Sequence, residues 1–153
     1  MRTATDTFVG FVDIVAEHLD DHEARGDDLA ARAYLSRFHF DRVVSAAAGE
    51  TPARFRRRVL LERSAYRLVT SEVGVLDIAV EAGYSSNEAF TRAFARAYGV
   101  QPSRWRVRPN RPMQLDTPNG VHFHPPGGLR LPARNEVTSM DLLVKMVEHH
   151  VWL

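Results

Sequence analysis

Arg42 and Arg92 stand at equivalent positions of a segment that the chain contains twice, and both carry chemistry suited to reading nucleic acid. A guanidinium can bridge O6 and N7 of guanine, an Asn amide can do the same for adenine, and a carboxylate can accept from N4 of cytosine. Asn87 and Asp41 lie beside these arginines and complete a set of base-reading candidates. Arg37, Arg54, Arg56, Arg96 and Arg104 are better placed as phosphate clamps, which orient a protein on a duplex without reading it. Plainer roles compete. Asp41 could pair with Arg37 or Arg42, some arginines could simply be solvated, and Glu88, three residues after Ser85, has the spacing of a helix capping box.

Other chemistry finds little support. Cysteine is absent, which excludes disulfides, Cys-rich zinc fingers, iron–sulfur ligation and thiol catalysis, and points to a reducing compartment. His18 and His22 share a helix face at the four-residue step, but that face is acidic and solvated and no third ligand is placed near it. His122 and His124 alternate across an extended segment, and His149 and His150 point to different sides of a helix. No catalytic residue, metal site or cofactor is expected. The longest apolar stretch, Val43 to Ala48 broken by Ser45, is far short of the roughly 20 residues that span a bilayer. Asp6 and Asp13 stand where an export signal would need a basic start and an apolar run. A cytoplasmic protein with no membrane partner is expected.

The net charge of +1 hides a segregation: residues 1–31 carry −6, residues 32–108 carry +7, and residues 109–153 are neutral. A basic block of this kind suggests a polyanionic partner, because neutralising phosphate supplies most non-specific nucleic-acid affinity. Nineteen of the twenty basic residues are Arg, a bias that codon usage alone could produce.

The elements that must position these side chains follow from the repeat. Gly49-Glu50-Thr51-Pro52-Ala53-Arg54-Phe55-Arg56 returns as Gly99-Val100-Gln101-Pro102-Ser103-Arg104-Trp105-Arg106, and Phe40-Asp41-Arg42-Val43-Val44 aligns with Phe90-Thr91-Arg92-Ala93-Phe94. Each copy reads as a short helix (Leu29 to Ala33; Leu76 to Ala82), a tight turn, a capping Ser (Ser36; Ser85 or Ser86) and a longer helix ending at Gly49 or Gly99. This is helix–turn–helix spacing. Gly83 suits the left-handed turn position and Tyr84 the apolar plug behind it, where the first copy has Tyr34 and Leu35. Phe40, Val44 and Ala47 should be buried, leaving Phe38, Asp41, Arg42 and Ser45 outward; Phe90, Phe94 and Ala97 should be buried, leaving Asn87, Glu88, Thr91, Arg92 and Ala95 outward.

Residues 6–22, with Phe8, Val12, Val15 and Leu19 in register, predict an amphipathic helix ahead of the first unit. Pro52 starts a long helix to Thr70, with Phe55, Val59, Tyr66 and Val69 on one face and Arg56, Arg63 and Arg67 in a stripe about 100° away. From Pro109 to Asn135 six prolines and three glycines predict a connector. Ser139 then caps a final amphipathic helix bearing Met140, Leu143, Val144, Val147 and Val151, which reads as the first helix of a further unit.

Residues Phe8 to Arg108 resemble the DNA-binding domain of the AraC/XylS family of bacterial transcription regulators. The match is carried by Ile78-Ala79, Ala82-Gly83-Tyr84-Ser85, Phe90-Thr91-Arg92-Ala93-Phe94 and Tyr98 through Arg106, with Leu61-Glu62-Arg63-Ser64-Ala65 and Leu68 resembling the linker-helix motif. The resemblance implies an all-α, homeodomain-like fold of seven helices, with two tandem helix–turn–helix subdomains joined by a long linker helix. On this basis residues 6–108 form the DNA-binding domain (first unit about 28–49, linker helix about 52–70, second unit about 75–99). Residues 109–138 form the Pro/Gly-rich connector and 139–153 the C-terminal helix. The two reading helices would enter successive major grooves about 34 Å apart. Phe38, Asp41 and Arg42 match contacting positions of the first reading helix, and Asn87, Glu88, Thr91 and Arg92 those of the second.

The implied partners are double-stranded DNA, bound as a monomer because both readers share one chain, RNA polymerase, and a C-terminal effector domain. Val43-Val44 and the negative Asp41 depart from the family pattern in the first unit. Sensor domains in this family are commonly N-terminal, so any sensor here lies elsewhere. Pro118 to Gly128 followed by Met140 to Leu153 resembles the junction to a DinB-like four-helix bundle, a fold often holding a His-bound metal. That sets the alternative: a small-molecule sensor or metal-dependent enzyme fused to a promoter-addressing DNA-binding domain. A helical protein–protein adaptor with an Arg-rich face is the third reading.

Overall fold

Ser36, Thr51 and Ser86 each accept a hydrogen bond from the backbone N–H three residues on, at 3.1 to 3.2 Å, and so start three of the helices. The computed structural model describes residues 4–21, 30–31, 36–125 and 128–130. Within these, α1 runs Ala4–Glu17, α2 Arg37–Ala48, α3 Pro52–Thr70, α4 Val75–Glu81, α5 Asn87–Tyr98 and α6 Pro102–Val107. A small antiparallel hairpin, β1 (His122–Phe123) and β2 (Leu129–Arg130), follows. Residues 30 and 31 are helical and Ala30 is buried, consistent with the short helix expected from Leu29 to Ala33. The rest of that helix, Tyr34, Leu35, His22 and the expected C-terminal helix at 139–153 lie outside the described residues.

The structure shortens the first predicted helix. It ends at Glu17 rather than residue 22, where the chain turns: the His18 N–H donates to both Ile14 and Val15, and the Asp21 N–H donates to His18. Leu19 still reaches the core. Arg56 closes this end, its guanidinium donating to the carbonyls of His18, Leu19 and Asp21 at 3.3, 3.0 and 3.1 Å. Arg56 is therefore a helix terminator rather than the phosphate clamp its spacing suggested, because the last carbonyls of a helix need donors.

Helix α3 is the spine. Phe55, Val59, Leu60, Leu61, Ser64, Ala65 and Leu68 are buried around much of its circumference, since α2, α4, α6 and β1 all pack on it. The single apolar face expected for it is overturned at one end: Val69 is exposed and Tyr66 half-buried. The arginine stripe is used internally, with Arg63 donating to Asp20 and to the Glu81 carbonyl, and Arg67 forking onto the Glu81 carboxylate. Two aromatic clusters sit on this spine. Phe8, Phe11, Phe40 and Phe55 fill the first unit, and Tyr84, Phe90, Phe94, Tyr98 and Trp105 fill the second. Arg106 bolts α6 to the Leu68 carbonyl of the spine and to the Val73 carbonyl just beyond its end.

Beyond α6 the Pro/Gly-rich chain folds back onto α3. Val121 and Phe123 are buried in the core and Asn119 is 2 % exposed, donating to the Ala48 carbonyl and to Glu50. Gly49, left-handed at φ 69°, lies against Pro118, whose side chain would meet any added Cβ at 2.6 Å. Tyr98 donates to the Met113 carbonyl at 2.6 Å, and burial pushes its hydroxyl far above the ordinary tyrosine range. Folding thus favours the protonated phenol. Stability is intact below about pH 10 and falls as pH rises beyond it. Alkaline denaturation followed by circular dichroism should show this fall, reduced in Tyr98→Phe; Tyr84, raised by burial, contributes in the same sense.

Candidate nucleic-acid interface

In the second unit, α4 ends in a left-handed Gly83 at φ 87°, with the Gly83 N–H donating to Val80 and the Tyr84 N–H to Ala79. Tyr84 then plugs the turn, its ring edge-on to Phe90 at 5.5 Å. Phe90, Phe94 and Tyr98, four residues apart, form the buried stripe of α5. Ala97, expected in that stripe, is only half-buried because Tyr98 continues the four-residue step in its place. The opposite face presents Asn87, Glu88 and Arg92 to solvent, with Thr91 half-buried between them.

These four residues line an open hollow of about 610 Å³ together with Val75 and the first turn of α6, Gln101, Pro102 and Ser103. Val75, Gln101 and Ser103 are neighbours of the reading face that the sequence does not reveal. The repeat marks Gln101-Pro102-Ser103 as a helix start, but only the fold brings that start beside α5. Ser86, not Ser85, caps α5, so Glu88 is the second helical residue and the capping box with Ser85 is overturned. Its carboxylate is exposed near the positive end of the helix dipole. Ser86→Ala should cost about 1 kcal/mol in urea denaturation, whereas Ser85→Ala should leave the midpoint unchanged.

The first unit presents a different surface. Phe40, Val44 and Ala47 are buried as expected, joined by Val43 and Ala48. Phe38 stands 72 % exposed at the start of α2, and the Arg42 guanidinium lies over its ring at 5.5 Å. The Arg37 Nε donates to Asp41 at 2.9 Å in an exposed pair one helical turn apart. Asp41 thus has Arg37 as its partner, one of the two pairings its position offered. Arg54, Arg96 and Arg104 are exposed, and their side chains make no hydrogen bond or ion pair among the described residues. No group of three His, Asp or Glu among the described residues could hold a metal. No helix among them is long and apolar enough to cross a membrane.

The helix–turn–helix of α4 and α5, and α2 at the repeat-equivalent place on the same spine helix, each turn a face outward, the arrangement of a tandem helix–turn–helix protein. The chain belongs to the helix-turn-helix domain family, of AraC type, whose pattern matches residues 29–108. It is 38 % identical over 80 residues to a protein of Haemophilus influenzae described as an uncharacterized HTH-type transcriptional regulator, covering 52 % of this chain and 27 % of that protein. The crystal structure of the AdpA DNA-binding domain in complex with a target DNA is 30 % identical, with a TM-score of 0.60 over 65 % of this chain and 89 % of that one. An AraC-type regulator structure from Chromobacterium violaceum, 19 % identical, shares the fold at a TM-score of 0.63 over 71 % of this chain and 96 % of that one. The matched region spans less than a third of the length of the curated regulators first found.

Proposed function

We propose that this chain is the sequence-specific DNA-binding module of a transcription regulator, with α2 and α5 entering successive major grooves on one face of a duplex. The observation that carries this reading is the outward face of α5: Asn87, Glu88, Thr91 and Arg92 stand together around one hollow, opposite a stripe of buried aromatics. A helix so divided can lie in a groove while its other side holds the core. Arg92 and Asn87 have the donors for guanine and adenine, and Phe38 offers an apolar surface to a thymine methyl beside Arg42. Arg37 and Arg104 serve phosphates. Support comes also from the AdpA domain, which is similar to this chain and whose structure was solved on a target DNA.

Both readers share α3, so one chain binds an asymmetric site as a monomer in the cytoplasm. RNA polymerase and an effector domain joined through the C-terminal segment are the further partners of this reading, in keeping with regulators more than three times the length of the matched region. Selection of randomised duplexes, then anisotropy titration at two salt concentrations, tests it. Two enriched boxes about 10 base pairs apart, with a steep salt slope, are expected. Absence of enrichment would overturn the proposal. Arg92→Ala should cost about 1–3 kcal/mol on the selected site and relax one base position, whereas Arg104→Ala should weaken all sequences alike and flatten the salt slope.

A further inference from the structure

Between the two units lies a second, larger cleft of about 1120 Å³ that shares no lining residue with the hollow at the reading face. Four guanidinium groups converge on it from three separate elements: Arg54 and Arg57 of α3, Arg96 of α5, and Arg111 of the segment after α6. All four residues are exposed, and their side chains make no ion pair among the described residues. Arg58 also lines the cleft but is already committed to Glu50, and the remaining acid there is the exposed Asp116.

Repulsion among like charges is cheap for solvated arginines, so charge alone would not make this a site. A second observation does. Tyr84 lines the same cleft, and its hydroxyl is a buried side-chain polar atom with no hydrogen-bond partner among the described residues. Buried hydroxyls nearly always have a partner, and one that lacks it within a ligand-sized cleft is a donor waiting for an acceptor. The Arg57 charge acts on this phenol, so the buried hydroxyl lies within electrostatic range of one of the cleft's guanidinium groups. Leu61 and Leu115 add apolar surface beside them.

We propose that this cleft binds an amphipathic organic anion, whose carboxylate, sulfonate or phosphate meets the arginines while its ring or short chain lies against Leu61, Tyr84 and Leu115. Such a ligand would tie α3, α5 and the segment after α6 to one another, and would act as an effector on the angle between the two units. Arg54 and Arg96 are also phosphate-clamp candidates, so the test varies Arg57 and Arg111 to separate this site from DNA binding. The full chain is titrated with 8-anilinonaphthalene-1-sulfonate. Saturable binding of one probe per chain is expected, competed by naphthalene-2-sulfonate but not by 2-naphthol, which has the same body without the anion.

Arg57→Ala with Arg111→Ala should weaken probe binding about tenfold, and Tyr84→Phe severalfold, since charge-assisted hydrogen bonds are the strong ones. Arg108→Ala, which removes one positive charge outside the cleft, should leave it unchanged. Affinity of the double variant for the selected duplex should stay within about twofold of the parent, as most surface substitutions act only locally. Probe binding that survives both the double variant and Tyr84→Phe would overturn the proposal. A parallel loss of probe and duplex binding would overturn it too, by making the cleft part of the DNA backbone track.

Discussion

Glu62→Ala should destabilise the protein by about 3–5 kcal/mol, the loss expected when one member of a buried charged network is removed. Glu62 sits in the middle of α3 and is 0 % exposed. Its carboxylate, an acceptor only, takes hydrogen bonds from the Leu115 N–H at 2.9 Å, the Phe123 N–H at 2.9 Å, His122 Nδ1 at 2.8 Å and Arg58 at 3.4 Å. Truncation leaves the buried Phe123 N–H, the half-buried Leu115 N–H and the imidazole without an acceptor, and the cost of unmet buried donors exceeds the net worth of the bonds themselves. Arg58 is spared the worst because Glu50 holds it at 2.8 and 3.0 Å.

Glu62→Gln keeps one carbonyl oxygen and should lose less than Glu62→Ala. Urea denaturation measures both. Because Glu62 helps hold residues 115–123 to the spine, the Ala variant should also be cut faster by chymotrypsin after Leu115 and Phe123. A loss below about 1 kcal/mol, with unchanged cleavage, would show that this segment is not part of the cooperative unit.

Trp105→Ala should cost a similar amount, about 3–5 kcal/mol, from lost burial and the cavity it leaves. The ring is 2 % exposed and sits 4.6 Å from Tyr98 and 5.9 Å from Phe94, so it closes the aromatic cluster behind α5. Its indole N–H donates to the Ala65 carbonyl at 3.0 Å, which fastens α6 to the spine. The variant should therefore loosen the reading helix as well as lower stability: amide exchange along α5 should accelerate, and duplex affinity should fall although Trp105 is buried beneath the reading face. Trp105→Phe retains the ring contacts and loses the N–H, so it should cost about 1–2 kcal/mol. Equal denaturation midpoints for Trp105→Phe and Trp105→Ala would refute the packing argument.

The parts legible from sequence are those that local rules determine. Helical periodicity separated Phe90 and Phe94 from Asn87 and Arg92 because the buried and outward faces of a helix are set by 3.6-residue spacing. Gly83 was legible because the turn needs a left-handed residue. The fifty-residue repeat exposed both units at once. Local rules were less reliable at ends: Ser85 and Ser86 are both chemically able to cap, and only backbone geometry selected Ser86. Helix α1 stopped short of its apolar pattern because a turn ending in Asp21 let Arg56 cap it from 35 residues away.

Charged residues marked the limit of the sequence argument. Arg56, Arg63 and Arg67 look like any basic stripe on a solvated helix, yet each is spent on a carbonyl or carboxylate of another element. Glu62 is an unremarkable helical glutamate until Leu115, His122 and Phe123 arrive from 53 to 61 residues away. The Pro/Gly-rich stretch reads as an ordered or semi-flexible connector by composition, and only the fold shows that Asn119, Val121 and Phe123 within it are buried.

What the amino-acid sequence determined by itself was the pair of helix–turn–helix units and the faces they turn outward, because those depend on spacing along one helix. Tertiary structure decided which charges meet solvent, which meet each other, and where Arg54, Arg57, Arg96 and Arg111 converge. Burial and pairing depend on the distance between elements in space, and no periodicity within a single element encodes that distance.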